Sequence, residues 1–230
     1  MNQLTLDLNL ADKFDFSSFC VGSNAWGVEI LKNMAACQGE RLVFVWGVRG
    51  VGRTHILNAV CHEASLHQHL SVYFSLSEFV TQSHPGVLSE IAHIPIICID
   101  DLQCVAGHPQ WEEALFSLYN DVRDRGGRLV MSADAPPHRL PIMLQDLLSR
   151  LQAMLVFELR ALTDLEKVQA LKAYANHKSF ELSDEVVQFI LTRGQRDMRA
   201  LVNMLKKLEH ESLVNHRKIT IPFVKEILYW

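Results

Sequence analysis

Val43-Phe44-Val45-Trp46-Gly47-Val48-Arg49-Gly50-Val51-Gly52-Arg53-Thr54 is a short apolar strand that runs into a glycine-rich turn and opens a helix. The spacing Gly47-x4-Gly52-basic-Thr54 is that of a phosphate-binding loop, with Arg53 where lysine is usual. Gly47, Gly50 and Gly52, with Val51 between the last two, let backbone N–H groups converge on phosphate oxygens. The helix that follows adds its positive N-terminal end. Thr54 is placed to offer its hydroxyl to a magnesium ion. A strand–turn–helix that uses glycine only to turn would not need the arginine and the threonine in this register. The stretch therefore predicts nucleotide binding and leaves hydrolysis as a separate question.

Working outward, apolar β-rich runs at 41–46, 70–75, 94–99, 127–132 and 153–159 alternate with helical patterns at 24–37, 53–66, 86–92, 109–124 and 144–150. Strands and helices in alternation predict an α/β fold with a mainly parallel sheet covered on both faces. From Thr163 the pattern is helical only. Thr163-Asp-Leu-Glu166 is a capping box opening a helix to about His177, and Ser183 caps the next. A third helix follows Asp197, with Met198, Leu201, Val202, Leu205 and Leu208 on one stripe. Thr220 and Pro222 open a last helix that ends at Leu228. The expected organisation is an extended tail at 1–10, an α/β nucleotide-binding core at 11–160 and an all-helical subdomain at 161–230.

Composition narrows the class. Hydrophobic residues make up 49% and charged residues 21% of the 230, which describes an ordinary globular chain with room for a real core. No apolar run reaches the ~18–20 residues of a membrane span, and no membrane partner is expected. The five cysteines (Cys20, Cys37, Cys61, Cys98 and Cys104) form no CxxC pair, which predicts a reducing, cytoplasmic setting. His62, His67 and His69 lack a second cluster to complete a metal site and read as surface residues. A net charge of −4 gives no broad footprint for nucleic acid, although Lys206, Lys207, Arg217 and Lys218 leave local contact open.

Ile97-Cys98-Ile99-Asp100-Asp101 ends a fully apolar strand with two carboxylates. In a phosphate-loop protein, the first acid at such a strand end holds Mg²⁺ and the second orients the attacking water. Asp134, at the tip of the following strand, is expected beside both. Arg150 and Arg199 stand out only once the family pattern is considered.

The run Ile99-Asp-Asp-Leu-Gln-Cys-Val-Ala-Gly107, the later Ser-Ala-Asp-Ala-Pro-Pro137, Phe19-Cys-Val-Gly-Ser-Asn24 and Ile219-Thr-Ile-Pro-Phe-Val-Lys-Glu-Ile227 resemble the AAA+ ATPase domain of the bacterial replication initiator DnaA. The resemblance covers roughly 14–228 and implies a P-loop AAA+ core with a five-stranded parallel sheet and a helical lid. It implies that Val21 and Gly22 border the adenine and that residues 47–54 hold the phosphates. Asp100 and Asp101 become the Walker B acids, with Thr54 and Asp100 at the metal. Asp134 becomes the sensor 1 residue, Arg150 an arginine finger offered in trans, and Arg199 the sensor 2 arginine of the lid.

Departures from the initiator point to a narrower resemblance. The sequence starts a few residues before the core and stops at Trp230, where an initiator's DNA-binding domain would begin. The segment between Phe79 and Ile94, with Pro85-Gly86, is short for the extra helix with which initiators support single-stranded DNA binding. The remainder resembles the Hda family of DnaA-related regulators. Gln3-Leu4-Thr5-Leu6-Asp7-Leu8 is similar to the clamp-binding peptide of that family. Gln3 would bond a pocket rim while Leu4, Leu6 and Leu8 fill apolar subsites. The resemblance implies a negative regulator of chromosomal replication initiation, a DNA replication inhibitor acting by regulatory inactivation of DnaA. Such a regulator links DnaA to the DNA-loaded sliding clamp, the beta subunit of DNA polymerase III, and meets DNA through it. It stimulates hydrolysis of DnaA-bound ATP, has little ATPase activity of its own, and holds ADP (or ATP) with Mg²⁺. A homodimer is left open. So are two other readings: a self-assembling AAA+ ATPase such as a helicase loader, and a clamp–DnaA adaptor without effect on hydrolysis.

Overall fold

A computed structural model describes residues 14–80, 83–178, 180–194 and 197–230, without the side chains of His177 and Arg199. The core runs α1 (Ala25–Ala35), β1 (Leu42–Trp46), α2 (Arg53–Leu66), β2 (Ser71–Ser75), α3 (Leu76–Phe79), α4 (Val87–Ile91) and β3 (Ile96–Asp100). It continues through α5 (Pro109–Asp124), β4 (Arg128–Ala133), α6 (Gln145–Ala153) and β5 (Leu155–Glu158). The helices α7 (Asp164–His177), α8 (Asp184–Arg193), α9 (Met198–Asn215) and α10 (Ile221–Leu228) follow.

Among the described residues the strands form a five-stranded sheet in the order β2-β3-β4-β1-β5, and every pairing is parallel. Parallel strands need crossover helices, and these bury both sheet faces. Accordingly β3 and β4 are buried along their whole length. Phe44, Ile97, Ile99, Leu129 and Met131 face α5 and α6, while Val43, Val45, Cys98 and Val130 face α1 and α2. The sheet order puts β1 and β3 on either side of β4, so the loops leaving β1 and β3 open at the same edge.

Two element boundaries differ from the sequence expectation for physical reasons. The strand expected from Ile94 begins at Ile96, because Pro95 has no N–H for a ladder. The Pro95 carbonyl instead accepts from the Arg128 N–H at 2.8 Å. The helix expected to end at Arg150 runs on to Ala153, because Leu151 repeats the buried position of Leu147 one turn later. Sequence pattern carries no signal for α3, a single turn directly after β2.

The last four helices have a core of their own around Leu171, Val187, Ile190, Leu201, Leu205, Leu208 and Phe223. Their starts are set by side-chain caps. Thr163 and Glu166 complete a capping box, and Ser183, Asp197 and Thr220 accept from Val186, Ala200 and Phe223 N–H groups. Asn24 fixes the connection that leads from β5 to these helices. Its buried amide donates to the Arg160 carbonyl (2.9 Å) and accepts from the Arg160 N–H (2.8 Å).

His55 docks the segment that precedes α1. Its ring lies edge-on to Phe14 and Phe19, and Nε2 is 3.1 Å from the Asp15 carbonyl, which can only accept. Nε2 therefore carries the proton of a neutral imidazole. Burial, outweighing the Asp15 carbonyl and carboxylate, holds the ring below the ordinary histidine range. A pKa lowered on folding gives stability that is full above the unfolded value, about 6.5, and lost as pH falls through the folded value. Backbone amides at 16–19, compared as protection factors so that the base-catalysed intrinsic rate is removed, should thus be less protected at acid pH than at pH 7.5. The acid-induced step should disappear in His55→Phe, measured by hydrogen exchange.

Candidate nucleotide-binding site

The phosphate loop connects β1 to α2 and closes on itself through the Val51 N–H to the Val48 carbonyl, 3.3 Å. The Gly47 N–H holds its entry to the Ala133 carbonyl at the tip of β4 (3.2 Å). Gly50 (φ +82°) and Gly52 (φ +105°) adopt backbone angles that side-chain-bearing residues rarely take. A Cβ on Gly52 would stand 2.9 Å from the Phe19 ring, and one on Gly50 would stand 2.9 Å from Cβ of Asp197, the cap of α9. The loop thus lies between the core and the first turn of the third lid helix.

Beside it, Asp100 ends β3 with no solvent exposure. Its Oδ2 accepts from Thr54 Oγ1 (2.7 Å) and the Tyr73 hydroxyl (2.9 Å). Its Oδ1 accepts from the Asp101 N–H (2.9 Å) and from Ser132 Oγ. Burial, and then the adjacent Asp100 carboxylate, push the Tyr73 phenol far above its ordinary range, so it remains a donor. Thr54 and Asp100 form an all-oxygen pair at the loop, the donor chemistry that a hard divalent cation such as Mg²⁺ takes.

Asp101 turns into the left-handed region (φ 59°, ψ 45°), which sends its carboxylate away from that of Asp100. It meets Arg53 at 3.3 Å, Gln103 Nε2 at 2.8 Å and Ser77 Oγ at 3.1 Å. The Arg53 guanidinium also donates to Gln103 Oε1 (3.4 Å), and the same oxygen accepts from the Asp134 N–H (3.1 Å). Gln103 thus bridges the basic residue of the loop, the second acid and the residue after β4.

Gly47, Gly50, Val51, Gly52, Arg53, Thr54, Asp100 and Asp101 therefore lie together at one edge of the sheet. Asp134 does so through its backbone; its side chain is exposed, and Ser132 is the β4 residue that touches Asp100. Val21 and Gly22 lie in the turn before α1, with Gly22 packed against Leu162 and Glu166 at the entry to α7. Arg150 stands elsewhere, 6.0 Å from the centre of the Tyr119 ring, with no hydrogen bond or ion pair among the described residues. Arg199 falls in the first turn of α9, and its side chain lies outside the described residues, as do Gln3, Leu4, Leu6 and Leu8.

Sequence reasoning missed Tyr73, Ser77, Gln103 and Ser132. Each is an ordinary polar residue within a strand or in the turn after one, and only the sheet order brings them to the acids. No group of three or more His, Cys, Asp or Glu suited to a metal occurs among the described residues. Of the three histidines read as surface residues, His67 is exposed, His62 and His69 are half-buried, and His62 Nδ1 is buried without a hydrogen-bond partner. No described helix is long and apolar enough to cross a membrane. A groove of about 420 Å³ lined by Trp46, Pro137 and Val156 includes no residue of the phosphate loop.

A parallel sheet of this order, a phosphate loop after β1, paired acids after β3 and a helical lid define a P-loop protein of the AAA+ class. The family model described as the bacterial DnaA ATPase domain matches residues 10–158, and one described as the Hda lid domain matches 164–228. The chain belongs to the DnaA ATPase-domain family, and it is an Hda-like, DnaA-related AAA+ protein. The fold is similar to that of domain III of the Thermotoga maritima initiator DnaA (TM-score 0.81, 22% identity, covering 94% of this chain and 95% of that one). AMPPCP-bound DnaA from Aquifex aeolicus is similar over 88% of this chain and 67% of its own (TM-score 0.74, 20% identity). The branch migration motor RuvB of Thermotoga maritima is also similar (TM-score 0.67, 17% identity, 90% and 68% covered).

The site's geometry makes Thr54 a test of the cation reading. Thr54→Val keeps the shape but removes the hydroxyl from Asp100. A lost bond to a charged group corresponds to about 1.5–3 kcal/mol, so Mg²⁺-dependent nucleotide affinity should fall about tenfold or more. Affinity in EDTA should stay within about twofold, as read by titration of a fluorescent ADP analogue.

Proposed function

We propose that the chain holds an adenine nucleotide between the phosphate loop and the lid and acts on ATP bound by DnaA. The observation that carries this reading is the engagement of Arg53 with Asp101 and Gln103 at 3.3 and 3.4 Å. The acid in the position that orients attacking water is thereby occupied by the loop's own basic residue. A planar guanidinium can hold both partners at once, which a lysine ammonium does less well. The site is suited to keeping a nucleotide, ADP or ATP with Mg²⁺ at Thr54 and Asp100, rather than turning it over. Val21 and Gly22 would border the base, and Arg199 would reach the phosphates from the first turn of α9. Asp134, next to Gln103, would sense the phosphate end.

Arg150 is the group left for work outside. Free of ion pairs among the described residues and resting on Tyr119, it would enter the site of a neighbouring DnaA as an arginine finger. A guanidinium supplied in trans neutralises charge growing on the transferred phosphoryl group, an effect of roughly 10³–10⁵ in rate. Gln3, Leu4, Leu6 and Leu8 would bind the DNA-loaded sliding clamp, the beta subunit of DNA polymerase III, and so bring this chain to DnaA. The product, ADP-DnaA, is inactive, which makes the chain a negative regulator of replication initiation.

The test is hydrolysis of DnaA-bound ATP with and without DNA-loaded clamp. Wild type should stimulate only with loaded clamp. Arg150→Ala should abolish stimulation with clamp binding intact, and Gln3→Ala should weaken clamp binding and stimulation together. Brisk ATP turnover by the purified chain without DnaA would reject the proposal in favour of a self-assembling ATPase. Undiminished stimulation by Arg150→Ala would rule out the finger, and no stimulation by wild type would leave only an adaptor.

A further inference from the structure

Glu112, in the first turns of α5, is wholly buried, and no cation pairs with it among the described residues. A buried carboxylate without a counter-ion is costly unless both oxygens are satisfied. Here they are, by backbone alone. Oε1 accepts from the Gly107 N–H at 2.7 Å and the Met143 N–H at 3.1 Å. Oε2 accepts from the Met143 N–H at 3.0 Å and the Leu144 N–H at 2.7 Å. Gly107 ends the segment that leaves Asp101 through the turn Leu102–Cys104, and Leu144 immediately precedes α6. One side chain therefore ties the stretch after the Walker B acids to the entry of the helix that carries Arg150. Its charge also lies at the positive end of that helix.

Tyr119 lies two turns further along α5, on the same face as Glu112. It is 3% exposed, and Arg150 Cζ rests 6.0 Å from its ring centre, at the outer reach of a cation–π contact. Between these two points Leu115 and Leu118 of α5 pack in one cluster with Leu147 and Leu151 of α6. α5 thus holds α6 by a charged clasp at its start, an apolar seam along its length and an aromatic rest under Arg150.

We propose that Glu112 and Tyr119 are positioning residues for Arg150, and that Glu112 links the setting of the finger to the segment following Asp101. This rests on the arginine-finger reading above. A carboxylate clasp fixes where α6 begins, and a rigid helix carries that placement to Arg150. Displacement of a reacting group by about 1 Å can cost on the order of 10²-fold in rate.

The test measures hydrolysis of DnaA-bound ATP, with loaded clamp, over a range of concentrations of the full chain. Glu112→Gln and Tyr119→Leu should each lower the maximal rate about tenfold while leaving the half-saturating concentration unchanged. Tyr119→Phe, which keeps the ring, should restore the maximal rate. A purely structural defect would behave otherwise, because a smaller folded fraction raises the half-saturating concentration and leaves the maximum attainable. That outcome overturns the proposal, as does a wild-type maximal rate in both Glu112→Gln and Tyr119→Leu when Arg150→Ala has lost stimulation. If Glu112→Gln fails to fold, Tyr119→Leu and its rescue by Tyr119→Phe decide the matter. If Arg150→Ala keeps stimulation, the finger reading and the proposal fall together.

Discussion

The arrangement of the site depends on one buried carboxylate. Asp100 is fully withdrawn from water and gathers donors from Thr54 on α2, Tyr73 on β2, Ser132 on β4 and the N–H of Asp101. An unsatisfied charge at that depth would be heavily penalised, so the donors and the acid specify one another. The result is a polar knot that fixes two neighbouring strands and the phosphate-loop helix around β3. The loop can present its amides to a phosphate because the helix behind it cannot drift.

The two acids of the motif have different fates although they are adjacent. Asp100 continues the strand and points into the knot, whereas the left-handed turn at Asp101 sends its carboxylate to Arg53, Ser77 and Gln103. One acid is thereby committed to the buried network, and the other to the loop's guanidinium. That division gives Arg53 a physical meaning that the departure from lysine does not have by itself. A side chain expected to face phosphate is also part of a network reaching the tip of β4 through Gln103.

A second buried carboxylate does for α6 what the first does for the loop. Glu112 uses only backbone donors, from Gly107, Met143 and Leu144, so it clasps chain segments rather than side chains. Both acids turn a local helix or strand position into a fixed distance between loops. The lid contributes a third constraint. Asn24 grips Arg160, and Asp197 stands against Gly50, so the last helices meet the loop at its glycine tip.

The alternation of strands and helices, the phosphate loop, the paired acids at the end of β3 and three of the four lid caps, at Thr163, Ser183 and Thr220, were legible in the sequence. These are local: glycine spacing, apolar runs and capping residues act over a turn or two of chain. It could not show that Ser132 rather than the Asp134 side chain reaches Asp100, that Arg53 leans on Asp101 and Gln103, or that Glu112 holds the start of α6. Nothing in their spacing distinguishes these residues from other polar side chains. They follow from the fold, because the order β2-β3-β4-β1-β5 sets distant strand ends side by side, and buried charges there must find whatever donors that order supplies.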